Sequence, residues 1–434
     1  MANNPAFSVF TLLTAAIFLS GLALAVPIGY PGMPHKAVAD QSPAEKQVTR
    51  GFEALAVGDL KSAEAAFTAA SSLEPKQIGA MLGFAELHLR RKQPSEAEAR
   101  LKEALAAQPD NAEADAAYGR YHFGQERYTQ AESAYQKAIS LDKGNFLAYM
   151  DLADLYLSIK RRPKEAAESY RKAVALKPTY APARFGLGMA LLAAGNKPGA
   201  IAELQQAASL GPQDPIPPHV IGRIHASDKQ FEQAVQSLTA ALRAKSDFMP
   251  ALIDRADVYA EMEKNREAAA DYERVLTANP KDSISRVKLG MIYQRLHRLD
   301  DAETAYHAAL KVNPGLAPAY NNLAMIALEK EGNLPNALSW AKKAAELAPN
   351  TPQFHDTLGW VHRALGDKSA AVAALERASR LPPPQAEIWY RLGLVYQETG
   401  NRGKAAAAYK KALAIQADFP QAAEAKARIA ALGK

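Results

Sequence analysis

The sequence predicts an all-α fold built from stacked helix pairs. Three observations predict it. About a fifth of the 434 residues are Ala, spread from end to end, against only 25 Gly and 27 Pro. Ala is the strongest helix former and, with its single methyl, lets helices approach closely. Prolines recur as a ruler at Pro75, Pro109, Pro178, Pro212, Pro280, Pro314, Pro349 and Pro383, with gaps of 34, 69, 34, 68, 34, 35 and 34. Small residues then recur at fixed offsets within that period, as a repeat architecture requires.

The opening segment differs from the rest. Residues 1–34 carry no charged side chain, and Ala6 to Val26 is a 21-residue apolar run closed by Pro27. At 1.5 Å per residue, a helix over that run reaches ~31 Å, enough for a ~30 Å hydrocarbon core. The expectation is one apolar helix, acting either as a signal peptide or as an uncleaved anchor. Ala23-Leu24-Ala25 and Ala37-Val38-Ala39 offer small-x-small cut sites, although no basic residue precedes the run. Residues 1–43 are therefore read as this segment and a Pro/Gly linker. The body is placed on the far, extracytoplasmic side, with a cytoplasm-facing anchored form as the alternative, because Lys36, Lys46 and Arg50 all follow the run.

Residues 44–419 divide into eleven units. Position 8 is always Gly or Ala, from Gly51 to Gly393, and position 20 is Ala in all eleven, from Ala63 to Ala405. Position 27 is Ala except at Val275. Position 24 supplies bulk, as in Phe67, Tyr135 and Tyr306, and lapses only at Ala341 beside Trp340. A small residue opposite a large one lets two helices close and fill the groove between them. The proline column ends each second helix, and Gly-Asn pairs such as Gly195-Asn196 and Gly400-Asn401 mark turns between helices. Single inserted residues fall near 159–162 and 329–333. Four prolines within 212–218 read either as an ordinary inter-repeat turn with an extended start to the next helix or as a joint in the stack. Residues 420–434 read as a capping helix.

The chain resembles the tetratricopeptide repeat family. The family pattern stands as Tyr149, Leu152, Ala153, Tyr156, Ala166, Tyr170, Ala173 and Pro178, and returns as Trp389, Leu392, Gly393, Tyr396, Ala405, Tyr409 and Ala412. The resemblance implies antiparallel helix pairs in a right-handed superhelix whose first helices line a concave groove. It also implies that positions 2, 5, 9 and 12 face that groove. Those positions nominate Leu147, Met150, Leu157, Phe185, Met189 and Leu192, then Met291, Asn321, Met325, Trp360, Arg363 and Tyr390. Such an apolar, Met-bearing lining suits protein or peptide segments. The alternative is that the same side chains are buried within the chain itself. Asn321 and Asn322 are isolated, so no run of asparagines lines the groove.

Chemistry is correspondingly scarce. Zero Cys excludes disulfides and thiolate chemistry. No Walker loop, HExxH or GxSxG occurs, and no stretch remains for a catalytic domain. No cofactor or metal is expected. Four histidines, His88, His122, His225 and His362, fall at position 11, where other units carry Tyr, and so read as packing residues. The formal charge of +6 is small and mixed in sign, which argues against nucleic acid. The expected function is a non-catalytic scaffold for protein–protein interaction, tethered or exported, serving envelope assembly or secretion. The alternative is an accessory subunit of a carbohydrate-modifying or polysaccharide-export machine. The sequence leaves the oligomeric state open.

Overall fold

Helices begin where the repeats begin. In the computed structural model, which describes residues 41–330 and 332–432, every described element is a helix and no strand occurs among the described residues. Repeats one to six hold α1 (Pro43–Ala56) and α2 (Leu60–Leu73), α3 (Ile78–Arg90) and α4 (Pro94–Ala107), and α5 (Ala112–Gly124) and α6 (Tyr128–Leu141). They continue as α7 (Phe146–Ser158) and α8 (Pro163–Leu176), α9 (Ala181–Ala193) and α10 (Lys197–Leu210), and α11 (Ile216–Ser227) and α12 (Phe231–Ala244). Repeats seven to nine hold α13 (Met249–Glu261) and α14 (Asn265–Ala278), α15 (Ser283–Arg295) and α16 (Leu299–Val312), and α17 (Ala317–Glu329) and α18 (Leu334–Leu347). Repeats ten and eleven hold α19 (Pro352–Ala364) and α20 (Lys368–Arg380), then α21 (Ala386–Glu398) and α22 (Arg402–Ile415), before a final α23 (Ala422–Leu432). The two inserted residues lengthen the α7–α8 and α17–α18 turns, where the periodicity put them.

The chain divides into two compact halves, one ending at Phe248 and the other starting at Met249. The first contains repeats one to six, and the second contains repeats seven to eleven with the closing helix. The proline-rich 212–218 stretch lies within the first half. There Asp214 N–H donates to the Gly211 carbonyl at 2.9 Å, and the Asp214 carboxylate accepts from Ile216 N–H at 2.9 Å.

Helix ends follow local chemistry. Asp59, Asn111, Asn145, Asn196, Asn333, Asp367 and Asn401 each cap a helix by accepting from the backbone N–H three residues on. In ten of the eleven helix pairs the turn between the two helices holds one left-handed residue. Gly58, Gly195, Gly366 and Gly400 supply it freely, but Lys92, Glu126, Arg161, Lys229, Glu263 and His297 adopt it too, at φ of 53 to 61°.

The seams match the small-residue columns. A methyl built on Gly51, Gly119, Gly188, Gly222, Gly290, Gly359 or Gly393 would lie 2.3–2.8 Å from the position-24 side chain of its own repeat. Those glycines exist because the large residue already fills the space. Phe67 is confined on two sides, 2.3 Å from a methyl at Gly51 and 2.3 Å from one at Gly83 of the next repeat. Where position 24 shrinks to Ala341, Trp340 packs against the surrounding cluster. The core is therefore a succession of clusters, each shared by adjacent repeats, as expected for a quasi-one-dimensional stack. At the far end α23 covers repeat eleven, burying Phe419, Ala422 and Ala425, and Arg402 reaches the terminal carbonyls of Ala431 and Leu432.

The expected apolar helix over Ala6 to Val26 lies outside the described residues. Among the described residues, no helix is long and apolar enough to cross a membrane.

Candidate functional site

First helices carry the candidate site residues, and their exposure separates the two halves. In the first half, Leu157, Met189 and Leu192 are core residues, with Met189 only 3% exposed. Met150 and Phe185 are half-buried against the same cluster, and Leu147 is half-buried against Phe146 and its neighbours. Self-burial thus accounts for the apolar lining of repeats four and five. In the second half the same position 9 is open: Met291 is 41% and Met325 46% exposed. Trp360 and Leu394 continue that row as half-buried side chains.

The row ends at a cavity of about 350 Å³ lined by Trp360, Arg363, Tyr390, Leu394, Gln397, Glu398, Glu424 and Arg428. Helices α19 and α21 supply six of these residues and the closing α23 supplies two, so a cavity wall depends on the cap. Arg363 grips Glu398 through two nitrogens, at 2.5 and 3.0 Å, and its guanidinium lies 4.6 Å from the Trp360 ring centre. Arg391 lies 4.9 Å from the same ring and pairs with Asp356. Arg428 holds Glu424 at 2.6 and 2.9 Å and donates to the Gln397 carbonyl at 3.2 Å, which also accepts from Tyr409. Burial pushes the Asp356 carboxyl up to about 6, against the pull of Arg391. Hydrogen bonds from Tyr390 and Arg428 hold Glu424 below the usual range, and burial raises the Tyr390 phenol.

These charges are mutually neutralised. Arg363, Arg391 and Arg428 each hold a carboxylate. Among the described residues, no group of three His, Asp or Glu could hold a metal. The position-11 histidines behave as packing residues: His88 and His225 meet Gln93 and Gln230 at 3.0 and 2.7 Å, and His122 packs against Tyr118 with ring centres 4.2 Å apart. His355 is tied to the Pro349 carbonyl at 2.9 Å.

Polar features share these faces; Asn321 was nominated from the sequence, whereas Asp356 and the Asp151–Asp154 pair were passed over. Asn321 lies under the row, 7% exposed, with its carboxamide nitrogen 3.7 Å from the Met325 sulfur and its Oδ1 buried without a donor. Asp356 Oδ1, one repeat on, is likewise buried without a donor. In repeat four, Asp154 accepts from the Tyr170 hydroxyl while Asp151 pairs with Arg120 of repeat three at 2.9 Å. Burial pushes Asp154 up to about 7, and nearby Asp151 adds to the rise. The signal available in sequence was polarity at positions 5, 6 and 9 of otherwise apolar helices.

The fold defines a helical-repeat scaffold, an α-solenoid of paired helices. Tetratricopeptide repeat models match residues 54–121 and 159–216, and a second model of that name matches 119–181, 253–293, 287–352 and 357–423. The chain belongs to the tetratricopeptide repeat family. Similar proteins include the human protein O-mannosyl-transferase TMTC3, 22% identical over 305 residues, covering 69% of this chain and 33% of that protein. Anaphase-promoting complex subunit 7 of Arabidopsis thaliana is 27% identical over 208 residues, covering 48% of this chain and 37% of the other. The chain spans about a third of the length of these relatives. Among solved structures, the APC/C hetero-tetramer Cut9–Hcn1 is similar at 14% identity and a TM-score of 0.47, over 91% of this chain and 97% of that one. Yeast Tom70 is similar at 14% identity and a TM-score of 0.42, over 90% and 95%.

Proposed function

We propose that this protein is a non-catalytic scaffold, tethered to or exported across a membrane through residues 6–26, that holds segments of protein partners on its first-helix faces. The observation that carries this reading is the exposed row in the second half. Met291 and Met325 occupy one offset in consecutive repeats and lead through Trp360 into the cavity, whereas Met189 at the same offset is buried. An apolar strip kept open to water at helical-repeat spacing is costly unless something covers it. Service to envelope assembly or secretion is the context suggested by the apolar opening segment. The second reading, an accessory subunit of a carbohydrate-modifying machine, draws on the similarity to TMTC3. That similarity spans 69% of this chain but a third of the transferase.

The test is in-cell photocrosslinking from Met325, with Met189 as the buried control. Polypeptide adducts from Met325 and none from Met189 support the scaffold. No adduct from any first-helix position, with or without solubilised membranes, contradicts it. N-terminal sequencing of the mature protein addresses tethering: a start near Val26 or Asp40 means export, and an intact Met1 or Ala2 means an anchor.

A further inference from the structure

At three junctions, position 6 of one repeat meets position 9 of the repeat before it. Asp151 at position 6 of repeat four pairs with Arg120 at position 9 of repeat three, at 2.9 Å. Lys288 of repeat eight holds both oxygens of Asp257 of repeat seven, at 2.8 and 2.7 Å. Arg391 of repeat eleven lies 4.9 Å from the Trp360 ring centre of repeat ten. One carboxylate at position 9 is left without a cation. It is Asp154 of repeat four, and the facing position 6 of repeat five is Gly186.

The chain has nothing to put there. A Cβ on Gly186 would lie 2.4 Å from the Tyr170 ring. Arg184, the only basic residue of α9, turns instead to Glu203 at 2.9 Å and to the Pro178 carbonyl at 2.7 Å. Arg120 is committed to Asp151, so two carboxylates share one guanidinium. In other respects Asp154 and Asp257 match. Each accepts from the hydroxyl of the position-24 tyrosine of its own repeat, Tyr170 or Tyr272. Only at Asp257 does an ammonium complete the set. Asp154 Oδ2 has no hydrogen-bond partner and remains open to water, for the residue is half-buried and this atom is not enclosed. A carboxylate short of a cation in such a place is costly, and burial accordingly pushes it up to about 7.

We infer that the Asp154–Tyr170 pair binds a free primary alkylammonium, whose –NH3+ takes the place that Lys288 fills three repeats on. This goes beyond the scaffold reading and does not depend on it. The match fixes the ligand's head: three N–H donors on one nitrogen serve a carboxylate that already accepts from a phenol. A metal ion fits poorly, because among the described residues no group of three His, Asp or Glu could hold one. The stem is apolar and slim. Met150, one helical turn before Asp154, and Phe185, next to Gly186, are both half-buried against the same cluster. Because the Tyr170 ring already covers Gly186, the space admits an unbranched chain in preference to a lysine attached to its own backbone.

The probe is butylamine, titrated at pH 8 and low salt into the full chain carrying 13C-methyl methionine and read by NMR at Met150. Butanol and tetramethylammonium are the controls, one lacking the charge and the other the N–H donors. The Met150 methyl should shift saturably with butylamine and with neither control. Asp154→Asn should weaken that response at least tenfold, as loss of a charge-assisted contact does. Asn can still accept from Tyr170, so the variant keeps the fold, as circular dichroism verifies. Lys288→Ala bares the Asp257–Tyr272 pair and should create a second saturable response, at Met291, which the parent chain lacks. The inference is overturned when Met150 does not respond, when Asp154→Asn responds like the parent, when either control matches butylamine, or when Lys288→Ala gains no second site. Tighter binding of Nα-acetyl-lysine methylamide than of butylamine also overturns it, because the ammonium then arrives on a polypeptide. None of these results bears on crosslinking from Met325, so the scaffold reading stands or falls by its own test.

Discussion

Adding one methyl at Gly51 tests the seam between helices. A Cβ there falls 2.3 Å from Phe67 Cε1 and 2.6 Å from Cδ1. Ordinary contact needs about 3.4 Å or more, so the ring or the helix must shift by about 1 Å. The ring has little room to move, because Gly83 of repeat two meets the same ring edge at the same distance. Phe52 and Phe84 close the remaining directions, with ring centres 5.2 and 5.8 Å away. Overpacking a full core costs about 1–3 kcal/mol, and the better helix propensity of Ala returns about 1 kcal/mol. Gly51→Ala should therefore lose up to about 2 kcal/mol, and Gly83→Ala about the same. Gly124→Ala and Gly403→Ala, where no atom lies within 4 Å, should gain about 0.5–1 kcal/mol. Urea unfolding followed by hydrogen exchange reads both the size and the place of the effect. Lost protection should be confined to α1, α2 and α3, since repeats touch only their neighbours. A stabilised Gly51→Ala, or protection lost evenly along the chain, would refute the seam argument.

Three other outcomes follow from particular residues. Asp154 is raised from 3.8 to about 7 in the fold, so the folded state holds its proton more tightly and stability falls as pH climbs from about 4 to about 7. That shift is worth at most ~4 kcal/mol; water at the half-buried carboxyl reduces it to about 2 kcal/mol. Asp154→Asn should flatten this part of the pH–stability curve and be the more stable form at pH 8, whereas an unchanged slope contradicts the assignment. In the left-handed turn column, Glu126→Gly should raise the unfolding free energy by about 0.5–1 kcal/mol, and Gly58→Ala should lower it by about 1 kcal/mol, both read from urea titrations. Shifts of the same sign would mean that contacts, not φ, decide. We also propose that the proline-rich 212–218 stretch is a loose joint. Limited proteolysis should cut there before it cuts other inter-repeat turns, and uniform resistance would dismiss the joint.

The repeat register was legible because it depends on side-chain size at fixed offsets. Repeats two to five and seven to eleven have first helices starting at the residue the period assigns, from Ile78 to Ala386. The first and sixth differ by one residue. Exposure was not legible. Met189, Met291 and Met325 share residue type and offset, yet 3%, 41% and 46% of their surfaces are exposed. What separates them is the neighbouring repeats: Phe185, Leu192 and the α11 residues Val220 and Ile224 belong to the cluster around Met189, whereas Met325 meets the polar Asn321. Half of the turn logic was visible, since glycine announces a left-handed residue. Lys92 or His297 announces nothing, and there the pair geometry overrides the local cost. The cavity at Trp360, Arg363 and Tyr390 was anticipated in three residues, but its wall from Glu424 and Arg428 required knowing where the cap docks.

Methionine oxidation footprinting tests the central claim most directly. With dilute peroxide, Met291 and Met325 of the free full chain should oxidise quickly while Met81 and Met189 lag. Equal reactivity at Met189 and Met325 would contradict an open row on the first helices of repeats eight to ten.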